Sequence, residues 1–439
     1  MIHRQRSHRK PAPNCSRRQG RTRAPSAAGP FALLAILALA AIAPLTAGAE
    51  PPAAAPMDEE LARNWLARWE QAITGERRYC DTEMGEELGW LVSPFLNGFY
   101  YGYLATGDAK WVDRFVDWTD AWTKRGVKEP DGFIGWPKDD GASTSVLPGL
   151  YTDNMLGEAM ALRPTVLMAN AILKTPSLRK RYGDKARGYI SLAEQTFRKW
   201  DARGCWRQVK VGGLWVAPPF GIDKRTGRWT DGYARRTTDG FSLPANKQNH
   251  IARWLLAMYD VTHKLIYRQR AEQWFLQMRS RMRPQGGGRF LVWDYWDPAG
   301  PWDYKPDGST KHWVGVHPNG GYYAIDVEAI VDAYEHGLVF TKADIDRLIA
   351  TNRDFMWNKQ VVGAKFGRID GGEADPRWAS SPGVLWVALT PYDATLRRAM
   401  EANHNPASWG GLSVTPWYVA RMTGKLPAVT PPRPPAPRR

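Results

Sequence analysis

Cysteine is scarce in this 439-residue chain, with only Cys15, Cys80 and Cys205. There is no Cys cluster, and the histidines show no H-E-x-x-H pattern, so neither a structural zinc site nor zinc-hydrolase chemistry is indicated. A P-loop, a G-x-S-x-G elbow and a dinucleotide fingerprint are also missing. The Gly286–Gly288 run has no strand–helix context to make it one. The sequence therefore calls for no metal and no cofactor. Long apolar runs are equally few, and after residue 50 none is long enough to enter a membrane. Acidic residues are absent from the first 49 positions.

What occupies those positions is organised. Eight basic residues (Arg4, Arg6, Arg9, Lys10, Arg17, Arg18, Arg21, Arg23) precede the apolar run Phe31–Leu45, and Ala47-Gly48-Ala49 follows. A basic region, a short apolar core and an A-x-A site make up a secretion signal. The expectation is a secreted or periplasmic protein, with residues 1–49 as signal peptide and 50–57 as linker. No membrane span remains once the signal is removed. Residues 427–439 read as an unfolded Pro/Arg tail, because neither residue type builds a core.

The formal charge of +16 falls to +8 without the signal, 52 basic against 44 acidic residues. That balance does not call for nucleic acid and leans toward an acidic polymer as partner. Cys15 leaves with the signal. In an oxidising compartment Cys80 and Cys205 could close a loop of about 125 residues, worth about 3–5 kcal/mol in the chain-entropy model. Two buried free thiols are the alternative.

Residues 58–426 contain no Pro/Ser/Gly-rich linker and read as one domain. Helical periodicity recurs through it. The stripes are Val112/Phe115/Thr119/Trp122, Met155/Ala159/Leu162/Val166/Ala169/Leu173, Ile190/Ala193/Phe197/Trp200, Ile251/Trp254/Leu255/Met258/Tyr259 and Val327/Ile330/Val331/Tyr334. Thr341 with Asp344 suggests a capped helix start, and 58–74, 86–105, 264–282 and 384–402 also read as helical. Strand signals are confined to Gly213–Ala217, Gly288–Trp293 and Lys365–Ile369. Short links alternate with long ones, such as 125–150, 203–245 and 284–320. Long loops inside a compact domain usually serve function. The fold class is all-α: an α/α toroid, an incomplete ring of helical hairpins with long loops and a few short strands.

The chain carries 22 Trp. Trp65 and Trp254 lie on helical stripes, whereas Trp90, Trp136, Trp215, Trp293, Trp296, Trp302, Trp313, Trp378 and Trp409 sit beside Gly, Pro or Asp. Flat rings pack on the C–H faces of sugars while nearby polar groups bind hydroxyls and carboxylates. The composition points to an acidic polysaccharide or oligosaccharide substrate, with Trp90, Trp293 and Trp313 among the expected contacts.

Three segments could carry chemistry. Leu243–His250 (LPANKQNH) opens a helix, and there Asn246 and His250 stand i,i+4 on one face. Asn246 and Lys247 are expected substrate contacts, Asn249 and His250 catalytic groups. N-capping by Asn246 is the structural alternative. Residues 293–326 hold His312, His317, Tyr295, Tyr304, Tyr322 and Tyr323. Of these His317, Tyr304, Tyr322 and Tyr323 are expected to be catalytic. In the third segment Asp153 is expected to cap a helix, while Glu158 and Arg163 either pair or face a cleft, with Arg163 as a substrate contact. Asp131, Asp139 and Asp140 precede them. These carboxylates could serve a hydrolytic pair, although no spacing singles one out.

The Asn249-His250 pair opening a helix, with Tyr295, Tyr304, Tyr322 and Tyr323 downstream, resembles the exported α/α-toroid polysaccharide lyases, alginate lyases included. That resemblance implies β-elimination on a uronate polymer: Asn and His would neutralise the carboxylate, and Tyr or His would move the C5 proton. The Asn-Asn-His usual in that group stands here as Gln248-Asn249-His250. Six-hairpin glycosidases acting on unsaturated uronides are similar in shape, and Asp153 would be their kind of residue. A non-catalytic carbohydrate-binding protein is the third expectation.

Overall fold

A computed structural model describes residues 56–138, 150–151, 153–217, 221–223, 225–226, 228–230, 240–372 and 384–427. The signal segment, most of the linker, nearly all of the tail, and Asp139, Asp140 and Trp378 lie outside the described residues.

Apolar periodicity builds the helices. In α3 (Lys110–Thr123) the buried residues Trp111, Val112, Phe115, Val116, Thr119 and Trp122 recur at helical spacing. The same logic places α1 (Glu59–Gly75), α4 (Met155–Lys174), α5 (Pro176–Ala202), α6 (Ala245–Thr262), α7 (Leu265–Arg281) and α8 (Gly321–Glu335). Thr341 and Asp344 form a reciprocal capping box that starts α9 (Lys342–Ala350). The expected helix over 86–105 is split. A π-helical turn, Leu88–Val92, precedes α2 (Ser93–Thr106), with Pro94 in the first turn of α2, where its missing N–H costs nothing. The expected helix over 384–402 is a single 3-10 turn, Val387–Leu389, followed by α10 (Ala394–Asn403), whose cap Asp393 accepts from the amides of Thr395 and Leu396. One further helix, α11 (Gly411–Met422), has no counterpart in the sequence expectations, because Gly410, Gly411 and Pro416 obscure its periodicity.

Packing arranges these helices in two layers. Hairpins pair α2 with α3, α4 with α5, α6 with α7 and α8 with α9. Within the inner layer α4 packs on α2 and on α6, α6 on α8, and α11 on α2 and α1. The turn Val387–Leu389 packs on α8 and is flanked by α10. Val387 also packs against the apolar cluster that holds Tyr418 and Val419 of α11, and Arg421 of α11 pairs with Glu335 of α8. The result is an α/α toroid whose sixth inner position is one short turn.

The inner helices run parallel, since equivalent levels meet. Ser93 Oγ donates to the Met160 carbonyl, Asn249 meets Asp326, Arg253 meets Asp332, and Lys425, just past α11, reaches the Ala105 carbonyl. All N-termini of the inner helices therefore point to one mouth of the ring.

The strands are short. Residues Gly213–Trp215 and Phe290–Val292 pair in two-stranded antiparallel ribbons with Trp206–Gln208 and Arg283–Gln285 respectively. The expected strand Lys365–Ile369 is reduced to one bridge, Trp357 with Phe366. Cys80 and Cys205 are separate buried thiols, so the disulfide is not formed. Burial pushes the pKa of each up to about 12. No described helix is long and apolar enough to cross a membrane.

Candidate functional site

At the mouth of the ring the residue the sequence reading missed is Glu86, which precedes the π-helical turn. It is almost fully buried. Trp90, one helical turn on, donates its indole N–H to Oε1 at 2.9 Å. Asn154, the N-cap of α4, donates from Nδ2 to Oε2 at 3.2 Å. Lys247, in the first turn of α6, stands 3.1 and 3.2 Å from the two oxygens. Three inner-ring entries thus converge on one carboxylate. Burial lowers the pKa of Lys247 while Glu86 opposes that shift, as expected of a cation held inside by a single partner.

A half-buried aromatic group lies within reach of the charge of this carboxylate. Tyr322 and Tyr295 stack with centroids 5.1 Å apart. His317 meets Tyr322 at 4.7 Å and Tyr295 at 4.8 Å, and the exposed Trp313 meets His317 edge-on at 5.9 Å. Burial, followed by the charge of Glu86, raises the phenol pKa of Tyr322. Burial, followed by His312, lowers that of His317. Both groups are therefore uncharged at neutral pH, one a proton donor and the other an acceptor or donor. The backbone ties the two halves together, because the Ala245 amide at the start of α6 donates to the Tyr295 carbonyl.

Deeper in the ring, His250 lies edge-on to Trp90 with centroids 5.7 Å apart. Burial, then Arg253 and Arg163, push its pKa down to about 3, so the imidazole is neutral. Beneath it a belt of charge crosses the ring. Arg253 pairs with Asp332 at 2.7 Å and with Glu328. Arg163 reaches Asp332 at 3.6 Å and donates to Asn97 and Tyr101.

Of the sequence candidates, the structure brings Trp90, Asn246, Lys247, His250, His317, Tyr322 and Trp313 to the mouth and the space just below it. Others it places elsewhere. Asn249 is fully buried: its Nδ2 donates to Asp326 and its Oδ1 accepts from Trp274, both at 2.7 Å. Neither end of the amide is left for a carboxylate, so Asn249 is a core residue. Trp293 is likewise in the core, its indole bonded to Asp326. Tyr323 is buried, its hydroxyl accepting from the His317 amide, and so it positions the loop. Tyr304 is exposed in the loop that Asp303 pins to Ser242. Among the described residues no hydrogen bond or ring contact joins Tyr304 to the mouth. Arg163 belongs to the charged belt. The α6 cap is Pro244, not Asn246.

Asp153 does not cap α4; Asn154 does, accepting from the amides of Leu156 and Gly157. Asp153 lies in a buried ionic cluster with Lys199 and Arg203. Lys199 also pairs with Glu158, and Arg203 with Glu129 and Asp131. Burial raises Asp153, but Lys199 and Arg203 hold it well below the carboxylate range. Burial and the Asp153 charge raise Glu129 to about 8 and push Glu158 up as well. Asp153 also accepts from the amides of Trp136 and Asn154, so this cluster fixes the residue that holds Glu86. Glu158 and Arg163 do not pair with each other.

Signal for Glu86 existed in the sequence, because Trp90 is flagged by its setting and Glu86 lies four residues before it on one helical face. What hid it was the absence of any local cue that three distant segments converge there.

No protein family and no curated protein sequence matches this chain. Among solved structures it is similar to an inactive variant of an α-1,6-mannanase from Salegentibacter sp. in complex with α-1,6-mannotriose. The TM-score is 0.43 at 12% identity, over 83% of this chain and 98% of that one. A cellobiose 2-epimerase from Spirochaeta thermophila gives 0.45 at 13% identity, over 82% and 84%. A family 76 glycoside hydrolase from Bacteroides thetaiotaomicron gives 0.45 at 9%, over 84% and 78%. Likenesses this remote assign the chain to no family and give none of its residues a role.

Proposed function

We propose that this chain is a carbohydrate-active enzyme that hydrolyses a glycosidic bond at the mouth of its ring, with Glu86 as the carboxylate of the reaction. The observation that carries the reading is Glu86 itself, a buried carboxylate gripped by Trp90, Asn154 and Lys247 where aromatic rings line the surface. Held as an anion by Lys247, it supplies fixed negative charge against the positive charge that develops on a sugar ring as its glycosidic bond breaks. Tyr322, which the charge of Glu86 reaches, is the proton-bearing group of the reaction, and Trp90 and Trp313 offer faces for sugar rings. In this reading the protein acts after export, which the signal-like N-terminus supports.

A second reading, β-elimination, would use the neutral imidazole of His250 as the base, but burial and two arginines hold its pKa down at about 3 and leave it a weak one. The reading is weakened further because Asn249, its carboxylate-binding group, is locked in the core, and Lys247 is already matched by Glu86. Product analysis separates the two. The protein is incubated with neutral and uronic oligosaccharides, and both new reducing ends and the ultraviolet absorbance of unsaturated uronides are followed. Hydrolysis gives reducing ends without that absorbance. Reducing ends accompanied by it would establish elimination.

A further inference from the structure

Two residues of α6 carry buried polar atoms that the proposed reaction does not use. Both amide atoms of Asn246 are shut from solvent and meet no hydrogen-bond partner among the described residues, and the same holds for Nε2 of His250. Asn246 is only 1% exposed. The two residues are i,i+4 on α6 and so share one face. Loose packing does not explain this, because the neighbouring amides of the same turn are satisfied. Gln248 bonds the Trp215 amide and carbonyl and the Leu243 carbonyl, and Asn249 bonds Asp326 and Trp274. A buried polar group without a partner costs about 1–3 kcal/mol, and native interiors rarely retain one without a use.

We infer that Asn246 and His250 form an inner subsite that takes the hydroxyls of an uncharged sugar, rather than a uronate carboxylate. This rests on the carbohydrate reading above. An amide offers a donor and an acceptor side by side, and a neutral imidazole nitrogen offers one or the other, which suits hydroxyls that both donate and accept. A carboxylate accepts only, and Oδ1 of Asn246 would repel it. The cations around the subsite are already matched: Lys247 by Glu86, Arg253 by Glu328 and Asp332, Arg163 by Asp332. A uronate would therefore bury its charge with no cation left to answer it. Trp90 stands against His250, so a sugar bound there changes the surroundings of the indole, and tryptophan fluorescence reports its arrival.

The test titrates the whole protein with neutral hexose tetrasaccharides and with uronic tetrasaccharides, following tryptophan fluorescence, and repeats this for Asn246→Leu alongside a thermal melt. The expected result is neutral sugar bound at least about tenfold tighter than uronate. Asn246→Leu should weaken neutral sugar at least about tenfold, about 1.4 kcal/mol, while melting no lower than the parent. Asn246→Ser, with the same expected loss of affinity, replaces it if the leucine variant does not fold. Tighter uronate binding overturns the inference, as does unchanged neutral-sugar affinity in the variant, which would mean the amide serves only an internal water. Binding of neither sugar class would defeat the carbohydrate reading itself, and the inference with it.

Discussion

Asp326 sits at the centre of a small buried network, accepting from Asn249 on one oxygen and from Trp293 on the other. Burial raises its pKa to about 7, and the two donors only partly offset that. Its unfolded value is about 3.9, so the folded state holds the proton more tightly. The stability this group contributes is full below about pH 4 and is lost as pH rises through about 7, at up to about 1.4 kcal/mol per pH unit in that window. Asp326→Asn removes the titration. Urea midpoints measured from about pH 4.5 to 7 should therefore fall less steeply in the variant than in the parent, and parallel slopes would contradict the assignment. The same network explains why part of the site was misread from sequence. Asn249 and His250 are adjacent on the chain but point about 100° apart on the helix. One enters the core and the other the ring interior, and only the positions of α7 and α8 decide which.

The elements were more legible than the site. Where apolar residues recur over several turns, as in α3, α4 and α8, periodicity alone places the helix, because a stripe must be buried against a neighbour. It fails where close packing replaces the stripe. Helix α11 rests on α2 through small residues. A Cβ built on Gly98 would lie 2.6 Å from the Leu412 carbonyl oxygen and 2.5 Å from Ile73 Cδ1. The Trp69 indole reaches the same carbonyl at 2.8 Å. Backbone contact of that kind cannot yield as a flexible side chain can. Gly98→Ala should cost about 1–3 kcal/mol through overpacking, despite the better helix propensity of alanine. Chemical denaturation checks this, and a neutral or stabilising result would mean that α11 does not pack there.

At the scale of the molecule, the ring converts local helix starts into one site. Glu86, Asn154 and Lys247 are far apart in sequence, yet each lies at an inner N-terminus, and parallel inner helices bring such positions together. Expecting a toroid from alternating short and long links was enough to predict a mouth built by loops. It could not say which polar residues meet there. The five residues Asn246–His250 are, in succession, an unpaired amide, an ion-pair partner, two satisfied amides and a neutral imidazole. The ionic cluster around Lys199 acts at this scale too, because through Asp153 it fixes the start of α4, and with it the Asn154 grip on Glu86.

If Glu86 is the reacting carboxylate of a glycoside-cleaving mouth, Glu86→Gln removes the negative charge on which turnover depends. The amide keeps an oxygen to accept from Trp90 and Lys247, and Lys247, whose pKa burial already lowers, can shed its proton, so the variant should fold with a lower melting temperature by circular dichroism. Release of reducing ends from the substrate that the parent cleaves should fall at least about a hundredfold, the scale on which removing a fixed charge at a reacting centre is felt. A folded Glu86→Gln variant with the parent's hydrolytic rate would contradict the account.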